Sequence, residues 1–172
     1  MRAAVAIFPG SNCDRDMAVA IKKITGKSPL KLWHKDTEAP NLDLIVIPGG
    51  FSFGDYLRCG ALAARSPVIK NIKNHISRGG ALLGVCNGFQ ILIEANILPG
   101  SLVRNKKLLF TCRETTLEVQ DSIQSPFLSS FNTGDCLNIP VAHNEGNYIA
   151  NNELLKELEN NGRIAFKYKK SS

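Results

Sequence analysis

Short apolar runs alternate with stretches of helical periodicity through the first hundred residues of this chain, and no other feature restricts its fold as strongly. The β-rich runs cover residues 2–8, 30–33, 43–47 and 81–85. Pro9-Gly10-Ser11-Asn12 turns the chain after the first. Asn12 or Asp14 can then cap a helix that runs to Thr25, with Gly26 as its stop. Pro48-Gly49-Gly50 closes the third run. Helical pattern resumes near Leu57 and again over residues 68–77, with Ile69, Ile72 and Ile76 on one face and His75 in its polar part, until Gly79-Gly80 breaks it. Strands that alternate with helices predict an α/β fold: a three-layer, mainly parallel open sheet flanked by helices.

After Pro99-Gly100 the character changes. Residues 108–119 alternate like a half-exposed strand, 137–143 form another extended run, 151–161 a short helix and 163–168 one more strand. There is no repeat, linker or low-complexity segment. A chain of 172 residues is expected to be a single domain, 1–172. Ending on a fresh strand and a basic tail is unusual for a finished domain, so the domain is expected to be incomplete at its C-terminus.

The fourth run leads into Gly84-Val85-Cys86-Asn87-Gly88, followed by the helical Phe89-Gln90-Ile91-Leu92-Ile93-Glu94. Gly-x-Cys-x-Gly between a strand and a helix is the cysteine form of the nucleophile elbow, a sharp turn that exposes the reacting side chain. The glycines remove side chains that would clash in such a turn. The sulfur would stand at a helix N-terminus, where unpaired N–H groups and the helix dipole favour negative charge. The competing reading is a structural cysteine in an ordinary strand–helix turn, which explains a lone cysteine better than it explains this pattern.

In parallel α/β sheets ligands bind beyond the carboxyl ends of the strands. Three loops leave such ends: residues 9–14, residues 48–55 and the elbow. An amide near Gly50 or Phe51, paired with the N–H of Asn87, could form an oxyanion hole. A plain glycine-rich turn is the alternative. Neither loop matches a dinucleotide or P-loop fingerprint. Gln90 lies one helical turn from Cys86 on the same side, placed either to hold a polar substrate group or to face solvent.

The chain has five cysteines and three histidines. Cys13 is followed by Asp14 and Asp16, whose charge should raise its pKa. Cys59 follows Arg58, a mildly activating setting. Cys112 and Cys136 fall in the later, irregular part. No Cys-x-x-Cys and no Cys/His spacing suits zinc, so no metal site is expected. A cysteine nucleophile needs a base and an orienting group. His143, in Val141-Ala142-His143-Asn144-Glu145-Gly146, would complete a Cys/His/Glu set with Glu145 if spacing alone decided.

The net charge of +6 raises the question of an acidic partner. The lysines are dispersed, the densest group, Lys167-Tyr168-Lys169-Lys170, is at the end, and no stripe interleaves aromatics with arginines. Solvated faces account for the charge, and no nucleic acid is expected. No apolar run approaches the roughly 20 residues of a membrane span. With no export signal, reduced thiols and a cytoplasmic location are expected.

Four motifs resemble one family. They are Phe8-Pro9-Gly10-Ser11-Asn12-Cys13-Asp14, Pro48-Gly49-Gly50-Phe51-Ser52-Phe53-Gly54-Asp55-Tyr56-Leu57-Arg58, Gly84-Val85-Cys86-Asn87-Gly88-Phe89-Gln90 and Pro140-Val141-Ala142-His143-Asn144-Glu145-Gly146. The family is the glutaminase subunit of phosphoribosylformylglycinamidine synthase, a class I glutamine amidotransferase with a flavodoxin-like fold. The likeness runs through essentially the whole chain. It implies hydrolysis of glutamine through a cysteine thioester and delivery of ammonia to a large synthetase subunit in purine biosynthesis. ATP and magnesium would be used by that partner, with no cofactor on this chain, and a small accessory subunit can join the complex. Cys86 matches the nucleophile, Gly49 and Gly50 the oxyanion loop, and Gln90 a residue that contacts glutamine.

Family members carry a C-terminal His-Pro-Glu motif that supplies the catalytic histidine and glutamate. No His-Pro-Glu occurs here, and no histidine follows His143. The segment with His143 matches a different, upstream motif. His143 and Glu145 are therefore expected to shape the site or the subunit interface rather than to act as the dyad. A truncated amidotransferase domain that binds the synthetase without turning over glutamine is the alternative function. A peptidase or stress-response protein of the same broad superfamily fits the first two motifs poorly.

Overall fold

The computed structural model describes residues 1–121 and 125–169; the end of the basic tail, from residue 170, lies outside them. Two compact units divide the chain, Met1–Leu98 and Pro99–Ser172.

In the first unit, four strands form a parallel sheet. They are β1 (Ala3–Ile7), β2 (Leu30–Trp33), β3 (Leu44–Ile47) and β4 (Ala81–Gly84), in the order β2-β1-β3-β4. The helices are α1 (Asp14–Thr25), α2 (Val68–Ser77) and α3 (Asn87–Glu94). Because side chains alternate across a strand, β1 and β3 feed two cores. Ala4, Ala6, Ile45 and Ile47 pack with Val68, Ile69, Ile72, Ile91 and Leu92 of α2 and α3. Ala3, Val5, Leu44 and Val46 pack with Ile21, Met17 and Ala18 of α1. Helices on both faces explain why the inner strands read as continuous apolar runs rather than as alternating ones. These are the three layers the sequence predicts.

Two local expectations are corrected. Neither Asn12 nor Asp14 caps α1: Cys13 is the N-cap and no side chain bonds there, while Gly26 ends the helix at φ 72°, donating to Lys22 O. His75 does not sit on a polar surface. It is buried, whereas Ile76 is partly exposed, because Val68, Ile72 and His75 stack at the i, i+4, i+7 spacing that makes one helix face. The His75 Nε2 pairs with Ala81 O at 2.8 Å, and its ring covers Gly80, where a β-carbon would collide with it.

His34 is also buried. Its ring stands edge-on to Trp33 (centroids 4.6 Å apart) and to Phe53 (5.2 Å). Burial, with Lys35 adding, holds its pKa below the ordinary imidazole value of 6.5, despite an opposing pull from Asp36. The unfolded chain then binds a proton that the folded ring refuses. Stability conferred by the neutral ring is present above about pH 6.5 and declines as pH falls toward the lower folded value. Urea midpoints at pH 7.5 and 5.5 should fall more for the wild type than for His34→Phe; equal falls would show that His34 does not drive the loss.

The second unit is antiparallel. Strand β5 (Ser101–Val103) pairs β8 (Asn147–Ile149), and β6 (Thr111–Val119) lies between β7 (Cys136–His143) and β9 (Phe166–Tyr168). Helix α4 (Asn152–Asn160) starts at Asn151, whose side chain accepts the Leu154 N–H at 2.8 Å. Strands β5 and β8 were not legible in the sequence: each is three residues long and, unlike β9, lies in no longer alternating run. Among the described residues no helix is long and apolar enough to cross a membrane.

Candidate active site

The three loops at the carboxyl ends of β1, β3 and β4 converge within the first unit. Cys86 lies between β4 and α3 with φ 52° and ψ −112°. A positive φ at a non-glycine residue is strained and survives only where its surroundings enforce it. Here the glycines enforce it. A β-carbon on Gly88 would strike the carbonyl oxygen of Ile47, and one on Gly84 would lie 2.6 Å from Leu92. Without those side chains α3 packs directly on the end of β3, and the chain must turn sharply to get there. Cys86 is left exposed, as an attacking group requires.

The Gly-rich loop passes beside it. A β-carbon on Gly49 would lie 3.4 Å from Cys86 Cβ and 3.5 Å from Cys13 Sγ, so the Gly49 backbone is flanked by both cysteines. The Cys13 thiol is pushed up, first by burial and then by Asp16, Cys86 and Asp14. The acidic neighbours act as the sequence predicts, but burial contributes more. Cys13 is thus held as a neutral thiol, a poor nucleophile. The Arg58 guanidinium makes a two-pronged contact with Glu94 of α3, at 3.0 and 2.7 Å.

Of the two loop amides expected at an oxyanion hole, Phe51 donates to Gly10 O at 3.0 Å. The first loop therefore claims it, while the neighbouring Gly50 stands at φ 143°. The Asn87 N–H opens α3 and is among the first-turn donors that have no acceptor inside a helix. Gln90 is buried rather than solvent-facing, and its Oε1 accepts from Asn87 Nδ2 at 3.0 Å. The Asn87 side chain also binds Ser52 and Asp55, a role its sequence position does not announce.

His34 and His75 are engaged elsewhere in the first unit. In the second unit His143 Nδ1 lies 3.0 Å from Asn105 Oδ1. Asn105 Nδ2 donates to Leu109 O, His143 O and Thr111 Oγ1, which fixes the amide's orientation. Its Oδ1 is therefore an acceptor, and the proton of a neutral His143 sits on Nδ1. The Gly146 N–H donates to the same oxygen at 3.1 Å. Asn105 thus pins the turn that carries Glu145. Within a basic run, Arg104-Asn105-Lys106-Lys107, no sequence signal marks it. A hollow of about 530 Å³ beside it is lined by the second unit alone, including Lys107, Arg113, His143 and Tyr168. Among the described residues no group of three or more His, Cys, Asp or Glu is placed to hold a metal ion.

Comparison with known proteins gives a consistent result. A family profile described as the CobB/CobQ-like glutamine amidotransferase domain matches residues 1–172. A Zymomonas mobilis protein named phosphoribosylformylglycinamidine synthase subunit PurQ is 54% identical over 172 residues, covering 99% of this chain and 77% of that protein. A Bradyrhizobium diazoefficiens protein of the same name is 51% identical over 169 residues, 98% of this chain and 72% of that one. A solved structure described as PurLQS from Thermotoga maritima superposes with a TM-score of 0.86 at 38% identity, over 99% of this chain and 75% of its own.

Proposed function

The chain belongs to the CobB/CobQ-like glutamine amidotransferase family, and from that premise we propose that it works as the glutaminase component of phosphoribosylformylglycinamidine synthase, with Cys86 as its nucleophile. The observation that carries this reading is the strained, exposed Cys86 at the mouth of α3, flanked by the Gly49 backbone.

The chemistry follows from the arrangement. The Cys86 sulfur attacks the side-chain carbonyl carbon of glutamine. The developing oxyanion takes hydrogen bonds from the N–H groups of Gly50 and Asn87, fixed donors of the kind that stabilise such charge. Collapse of the tetrahedral intermediate breaks the carbon–nitrogen bond as the nitrogen takes up the proton the thiol gave up; ammonia leaves and a γ-glutamyl thioester remains. Water cleaves the thioester to glutamate and restores the thiol. Gln90 serves in substrate contact, with its carbonyl end held by Asn87. None of these steps draws on a cofactor or metal of this chain; ATP and magnesium belong to the synthetase that receives the ammonia. A small accessory subunit completes the assembly, and His143 and Glu145 act in shaping the site or the subunit interface. The family match over all 172 residues supports taking both units as parts of one domain. The uncoupled thiols support a cytoplasmic location. The names of the relatives favour this function over that of a docking domain without turnover.

A chloromethyl ketone analogue of glutamine tests the assignment. Its single label should fall on Cys86, with protection by glutamine. Labelling mainly on Cys13 or Cys59 would sink it.

A further inference from the structure

The loop after β3 is strained along much of its length. Phe53, Asp55 and Leu57 all have positive φ (52°, 53° and 72°), as does Gly54 between them. Non-glycine residues in that region cost roughly 1–3 kcal/mol each and persist only when the surroundings over-determine them. On one side the first loop supplies backbone restraints, Phe51 N–H to Gly10 O at 3.0 Å and Phe53 N–H to Pro9 O at 2.6 Å. On the other side the loop is tied to α3 by the Arg58–Glu94 contact and, nearer Gly50, by the Asn87 side chain.

Asn87 is 1% exposed. Its Oδ1 accepts the Ser52 N–H at 3.1 Å, and its Nδ2 donates to Asp55 Oδ1 and to Gln90 Oε1, each at 3.0 Å. The partners dictate the amide's orientation, since a backbone N–H can only donate and a carboxylate can only accept. One carboxamide thus ties the Gly-rich loop, at two points three residues apart, to the first turn of the helix that begins at Cys86.

We propose that the Asn87 side chain is a positioning residue for the reaction: it locks the Gly-rich loop to the nucleophile's helix and so keeps the Gly50 amide in register with the Cys86 sulfur. This rests on the assignment of Cys86 and Gly50 above and adds to it a function for the side chain, distinct from that of the Asn87 backbone N–H. The energetic logic is preorganisation. An oxyanion donor is worth about 10²–10³ in rate only while it is held where the charge develops, and a misplacement of about 1 Å can cost about 10²-fold.

The test compares two reagents on the full chain. The chloromethyl ketone of glutamine places a carbonyl in the oxyanion hole, whereas iodoacetamide alkylates the sulfur by direct displacement and needs no such donor. Asn87→Asp keeps an acceptor for the Ser52 N–H but sets a second carboxylate against Asp55. It should slow ketone labelling of Cys86 about 100-fold and leave iodoacetamide labelling within about threefold. Adding Asp55→Asn reverses the polarity of the pair and restores a donor between the two side chains. That double variant should return to within about tenfold of the wild-type ketone rate. Should Asn87→Asp fail to fold, Asn87→Ala is read by the same ratio of the two reagents.

Equal losses with both reagents would reduce Asn87 to a purely structural group and overturn the proposal. A double variant no faster than Asn87→Asp would show that the tie to Asp55 is not what positions the loop. Ketone labelling of the wild type away from Cys86 would overturn the nucleophile assignment itself, a separate failure recognisable before any variant is made.

Discussion

Replacing Cys86 with alanine is expected to lower glutamine hydrolysis by at least about 10⁴-fold, measured as glutamate release in the complex with the synthetase subunit. Removing the attacking atom from a set of groups that act together costs nearly the whole catalysed rate, because the remaining donors can polarise the carbonyl but cannot form the thioester. The folded state should scarcely notice: Cys86 is exposed, and alanine keeps the β-carbon that the turn accommodates. The same variant should still form amidine when free ammonium replaces glutamine, since the synthetase reaction needs only the nitrogen. Hydrolysis retained above a tenth of wild type would remove Cys86 from the mechanism. Loss of both the glutamine-dependent and the ammonium-dependent reaction would instead point to a docking role.

Gly88→Ala should be among the most damaging single-methyl additions in the first unit. The new β-carbon would run into the Ile47 carbonyl oxygen, with the Ile47 carbonyl carbon at 2.7 Å and its β-carbon at 3.0 Å. Neither side can yield cheaply. Ile47 is fully buried on a central strand paired on both sides, and the neighbour struck is backbone rather than a flexible side chain. Overpacking of a closed site normally costs about 1–3 kcal/mol; because this clash is against the sheet itself, about 3 kcal/mol or more is expected. The loss is read from the urea midpoint with the slope unchanged. It should be accompanied by slower ketone labelling, because α3 can relieve the clash only by lifting the elbow away from the Gly-rich loop. A loss below about 1 kcal/mol would show that α3 does not rest on β3 as described.

Much of this protein was legible before folding because its signals are local. Strand β2 at Leu30–Trp33 and helix α2 at Val68–Ser77 match their expected bounds, since each is bracketed by Pro, Gly or a break in period. The elbow was legible for the same reason: Gly-x-Cys-x-Gly between an apolar run and a helical one describes a turn whose geometry depends on its own residues. Errors came where a neighbour decided. His75 looked like a surface residue in a polar stretch, yet the Ala81 carbonyl gives its ring a partner inside the core. Phe51 looked as suited as Gly50 to the oxyanion hole until the Gly10 carbonyl took its N–H.

The sequence by itself determined the α/β class and marked the elbow that carries Cys86, the proposed nucleophile. Those properties follow from the order of apolar and polar residues and from glycine's freedom at one turn. Only the tertiary structure decided that the Gly10 carbonyl takes the Phe51 N–H and that the Asn87 side chain ties loop to helix. Each of these depends on which donor meets which acceptor across a gap of tens of residues. Such pairings arise when the strands come into register and bring their carboxyl ends together.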